Sequence, residues 1–156
     1  MKKWIFFILL FCTQVYANPD LAGIWKLDSI IYRNQPMPLP NPDLELYFKF
    51  FENGESWLRW SRKNEVGFCE RKADYLTFDH LLYQKTIWLN PHNASSCGND
   101  PEMRMSSETY TDFKIYRGQL YLNLDLSDEK IVYVFKFLPE ESEQAGKVIR
   151  NRVNGL

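Results

Sequence analysis

Little in this chain points to catalysis. Histidine occurs twice in 156 residues, at positions 80 and 92, and neither has a partner at metal-ligand spacing. There is no Gly-rich phosphate loop, no nucleophile–base pattern and no paired-carboxylate motif. The acids are plentiful, but they fall in turns or on polar strand faces. We therefore expect no enzyme, no resident metal and no cofactor. Basic runs are missing as well, which argues against nucleic acid and against docking on anionic lipid. Beyond the first residues nothing approaches the ~20 consecutive apolar residues of a membrane-spanning helix. We find no internal repeat, low-complexity tract or linker, and the length suits one domain.

The N-terminus has the pattern of an export signal. Lys2 and Lys3 precede an apolar run from Trp4 to Phe11, and Val15-Tyr16-Ala17 matches the small-residue cleavage pattern. Residues 1–17 are thus expected to be a signal peptide and 18–156 the mature domain, periplasmic or secreted. Phe11 before Cys12 does not fit a lipoprotein signal. Cleavage would move the formal charge from −1 to −3. It would also leave two of the three cysteines, Cys69 and Cys97, an even pair in an exported chain. That reads as one disulfide. In the chain-entropy model, a cross-link of that span stabilises by roughly 3 kcal/mol.

Aromatic residues are abundant, at 16%. The mature chain alternates short apolar-patterned segments with turn signals, as in an all-β barrel or sandwich. Expected strands are 23–32, 44–51, 55–62, 68–78, 81–90, 105–116, 119–126 and 130–138. Gln35 to Pro42 holds four prolines, so it is excluded from a sheet interior and reads as a stiff surface loop. Asn53-Gly54 reads as a two-residue hairpin turn. That register sets Phe50 against Trp57, and Phe48 against Arg59. Turns at Asp79-His80, Arg117-Gly118 and Asp128-Glu129 join later strands. One face then carries Thr111, Phe113, Ile115, Leu120, Leu122, Leu124, Tyr133, Phe135 and Phe137. Lys114, Asp112, Tyr121, Asn123, Asp125 and Lys136 take the other. Pro139 and the acids after it suit a short C-terminal helical segment. Asn93-Ala94-Ser95 matches a glycosylation acceptor, but the lysine-led leader is of bacterial type and the match is discounted.

Eight consecutive strands linked by tight hairpins form a meander that closes well into an antiparallel up-and-down barrel. Gly23-x-Trp25 at the head of the first strand, followed by that meander, resembles the lipocalin-like (calycin) families. The resemblance implies that Trp25 stops the closed end of the barrel, with Gly23 letting the chain pass close by. It implies further that a basic side chain from near the C-terminus, Arg150 or Arg152, packs across the indole.

Candidate interior residues are Arg59, Trp57, Phe48, Phe113, Tyr133 and Phe135. If the Arg59 face points inward, burial of an unpaired guanidinium is costly, and a ligand carboxylate or an internal acid would offset it. If the face points outward, Arg59 is solvated. Two functions follow. The first is a barrel that binds one small hydrophobic or amphipathic molecule. The second is a filled barrel that binds protein through loops 35–42 and 91–101, as periplasmic protease or lysozyme inhibitors do. An outer-membrane barrel is disfavoured, because Lys49, Lys114, Asp112, Asp125 and Lys136 would interrupt its lipid-facing band.

Overall fold

The computed structural model describes residues 18–126 and 129–139. The expected signal peptide, the C-terminal helical segment, Arg150 and Arg152 lie outside them. A 3₁₀ turn at Pro19–Leu21 leads into nine strands: β1 (Gly23–Tyr32), β2 (Gln35–Met37), β3 (Leu44–Phe50), β4 (Glu55–Arg62), β5 (Cys69–Phe78), β6 (Leu81–Leu89), β7 (Glu108–Tyr116), β8 (Gln119–Leu126) and β9 (Glu129–Leu138). Each pairs antiparallel with its neighbour in the order β2-β1-β3-β4-β5-β6-β7-β8-β9, and β1 also pairs with β9. Eight strands therefore close into a barrel, with β2 as an added edge strand on β1. The added strand β2 is an edge, and a proline sits in it at a position where one is tolerated: Pro36 lies opposite Ile31. The proline-rich segment thus begins as a strand and is not loop throughout. The β1–β2 turn, Arg33-Asn34, has both residues at positive φ, the geometry of a tight hairpin.

The turns decide which side chains face in. The β3–β4 connection is a three-residue loop, not the expected two. The Phe51 amide donates to the Glu55 carbonyl at 2.8 Å and Gly54 alone takes the left-handed conformation, at φ +84°. Asn53 Oδ1 accepts from the Glu55 amide at 3.1 Å. The extra residue moves the register by one, so Phe48 faces Leu58 and Phe50 faces Ser56. A one-residue slip sends every side chain of a strand to the other face. Arg59 and Trp57 therefore point out of the barrel, opposite Tyr47 and Lys49. By contrast, β8 and β9 turn one position earlier than expected, with Leu126 opposite Glu129. That shifts partners by two residues and leaves the faces as anticipated.

One end of the barrel is floored by Trp25, which is 2% exposed. Its indole N–H donates to the Leu21 carbonyl at 2.8 Å, and Phe137 packs edge-on at 5.2 Å. Gly23 stands at φ +129°, and a Cβ there would overlap Cε2 of Phe137. The glycine is thus what allows that ring to close over the strand start. Above the floor lies an apolar core that includes Leu27, Phe48, Phe50, Tyr75, Phe113 and Phe135. The hairpin turns β3–β4, β5–β6 and β7–β8 share the floor end. The long connections, residues 33–43, 63–68 and 90–107, gather at the opposite mouth. No helix among the described residues is long and apolar enough to cross a membrane.

Candidate binding site at the barrel mouth

Alternation along β5 builds the site. Cys69, Arg71, Ala73 and Tyr75 share one face and are all buried. Cys69 is bonded to Cys97, with Cα atoms 5.6 Å apart. The expected disulfide is therefore present, and it is consistent with an oxidising, exported location. It draws the β6–β7 connection, which carries 3₁₀ turns at Ser95–Asn99 and Pro101–Met103, back over the mouth. Cys97 and Met103 bury with Cys69 in a small cluster flanked by Trp60, Leu89 and Ala94. Asn93 secures the connection, since its Oδ1 accepts from the Glu70 amide at 2.7 Å and its Nδ2 donates to the Glu70 carbonyl at 3.0 Å. That side chain is engaged with backbone and not presented as a glycan acceptor.

Beneath this lid the interior turns polar. Arg71 is 1% exposed, the largest fully buried side chain among the described residues. Its Nη2 donates to Glu102 Oε2, on the lid, at 2.8 Å. Its buried Nε finds no hydrogen-bond partner among the described residues. Neighbouring polar groups are committed to one another. Gln84 Nε2 donates to Ser56 Oγ at 2.8 Å, and Ser56 Oγ donates to the Ala73 carbonyl at 3.3 Å. Thr86 Oγ1 donates to the Glu102 carbonyl at 3.2 Å. The Glu102 amide in turn donates to Asp100 Oδ1 at 2.9 Å, which caps the turn that presents the glutamate. Tyr133 lies half-buried nearby. Burial pushes its phenol pKa up, and the charges of Asp100 and Glu102 push it the same way.

Of the residues anticipated inside, the structure brings together Phe48, Phe113, Phe135 and Tyr133. Arg59 and Trp57 are excluded. Arg59 instead bonds the buried Glu70 on the outer face of the barrel wall at 2.9 Å, with its guanidinium 4.1 Å from the Phe68 ring centroid. Trp57 lies in an outward row between Lys49 and Lys72, which pairs in turn with Trp88. The arginine that does enter the barrel, Arg71, was missed. A signal existed, since it stands two residues from a disulfide cysteine on one strand and must share that cysteine's face. His80 sits in the exposed β5–β6 turn beside Asp79 at 3.0 Å, and the hydrogen bond to Asp79 raises its pKa. Among the described residues no three His, Cys, Asp or Glu side chains gather as a metal site.

Side chains occupy the interior, and the lid covers the mouth. Leu39, from the proline-rich connection, packs against the core from the same end. A shallow groove lies outside the barrel, lined by Trp60, Arg62, Val66, Phe68 and Ala94.

No protein-family model matches the chain. No curated protein matches it in sequence. Among solved structures it is similar to one described as "REP1-NXSQ fatty acid transporter", at 11% identity and a TM-score of 0.41, covering 77% of this chain and 97% of that one. An overlap this loose carries neither ligand nor activity across.

Proposed function

We propose that the protein is an exported binder, not an enzyme: a lidded barrel that takes one small amphipathic molecule into its mouth. The observation that carries this reading is Arg71, a cation sealed inside the barrel whose buried Nε has no hydrogen-bond partner among the described residues. Structural stability alone is a poor reason for such a group, because a buried ion pair rarely stabilises more than well-packed apolar side chains would. A few convergent polar groups in an apolar setting are the usual make-up of a ligand site. The ligand's polar head would lie toward Arg71, Ser56 and Gln84. Its apolar part would take the volume vacated by Met103 and Leu39 when the connections over the mouth lift. Displacement of a fluorescent fatty-acid probe tests this. Saturable one-to-one binding is expected, and its absence both before and after delipidation would overturn the reading.

A second reading is favoured by the filled interior, namely a barrel that binds protein through its surface. Residues 35–42 offer an exposed edge strand with Met37 solvated. Segment 91–101 is less available, since Cys97 is drawn inward. Inhibition of a panel of lysozymes and proteases, weakened by Met37→Glu, would support it over the first.

A further inference from the structure

We infer that Glu102 is a resident competitor for the ligand's head group, so the molecule taken up carries a carboxylate and binds by displacing Glu102 from Arg71. This rests on the small-molecule reading above and names the chemistry of the same site. The two partners are not equivalent. The Arg71 side chain is 1% exposed and belongs to the barrel wall, whereas the Glu102 side chain is 36% exposed and belongs to the lid. The acid is therefore the partner able to leave, and the cation is the one that stays.

The pairing is also incomplete. Glu102 engages Nη2, while the adjacent Nε, also buried, goes unanswered among the described residues. The Nε and Nη2 hydrogens form a fork matched to the two oxygens of a carboxylate. Glu102 is held at its backbone by the Asp100 cap and at its carbonyl by Thr86. A free carboxylate has no such tether and can take both donors. Charge sets the selectivity. A neutral ligand that moved Glu102 aside would strand an unpaired buried guanidinium, which is heavily penalised, whereas an anion replaces one partner with another. Ser56, Gln84 and Thr86 are already bonded to one another and to the lid, so among the described interior residues Arg71 is the charged group that specifies the head.

The experiment compares wild type with Glu102→Gln, using a dansyl-labelled long-chain fatty acid and its methyl ester as probes. Glu102→Gln should bind the acid at least tenfold more tightly than wild type does, with the ester changed less than twofold. Equal affinity of both proteins for the acid would overturn the competitor and leave the small-molecule reading standing. A parallel gain for acid and ester would also overturn it, as it would mark a loosened lid and not a removed rival. Failure of both proteins to bind either probe would overturn both conclusions. Should the variant not fold, hydrogen exchange in wild type decides. Saturating acid should speed exchange of the Glu102 and Met103 amides and the ester should not, and unchanged exchange refutes displacement.

Discussion

At Arg71 two residue-scale effects meet: the penalty for removing a guanidinium from water and the attraction of a single carboxylate. Its neighbours show how closely the polar interior is balanced. Ser56 Oγ is the acceptor for Gln84 Nε2, and both residues are buried. Ser56→Ala should destabilise the protein by about 1–3 kcal/mol, because it leaves a buried amide hydrogen without a partner. The double variant Ser56→Ala, Gln84→Leu should lose less than the single one, since both ends of the bond then become apolar. Urea denaturation of the three proteins checks this. A double variant at least as unstable as Ser56→Ala would mean that the amide has other partners.

At the scale of elements, the disulfide and the lid act together. Cys69 and Cys97 are separated by 28 residues. Closing a loop of that length stabilises by roughly 3 kcal/mol in the chain-entropy model. Replacing both cysteines with alanine should therefore lower the unfolding free energy by about 3 kcal/mol. The same change should speed hydrogen exchange across residues 95–103 beyond that global effect, because the lid loses its covalent hold on β5. A stability loss with the lid's protection unchanged relative to the strands would show that Asn93 and Met103 hold it unaided. The β3–β4 loop makes the complementary point. One residue in its length decides whether an arginine and a tryptophan line the barrel or face solvent.

For the whole molecule, the alkaline limit is set by phenols inside the barrel. Tyr75 is buried, and its hydroxyl donates to the Phe51 carbonyl at 2.9 Å. Burial, with a smaller contribution from the Glu52 charge, pushes its pKa up from 10.0 to about 12. Tyr133 moves in the same direction, chiefly through burial. A group whose folded pKa is raised stabilises fully below its unfolded pKa, and that stability is lost as pH rises through the folded value. Stability should hold from neutrality to near pH 10 and then fall toward pH 12. Urea midpoints across that range check the sign, and Tyr75→Phe should make the fall shallower. A midpoint that rises above pH 10 would contradict it.

Much of the barrel was legible in the linear sequence. The two-residue alternation, the spacing of turn residues and the position of Gly23 and Trp25 mark the strands and the floor, since each is a local property of backbone and side chain. The pairing of Cys69 with Cys97 was legible because the expected export signal sets Cys12 apart and leaves an even pair. The inward faces of β7, β8 and β9 were legible too, because a turn misplaced by one position at both ends changes partners without changing parity. The exclusion of Arg59 from the interior was decided by the tertiary structure alone. A three-residue loop and a two-residue loop fit the same Asn-Gly signal, and the choice between them reverses the faces of β3 and β4 relative to each other. Local propensity cannot make that choice, because its consequence, burial of Leu58 in place of Arg59, exists only once the barrel has closed. The Arg71–Glu102 pair is decided in the same way: its partners lie 31 positions apart and meet only because the lid folds back over the mouth.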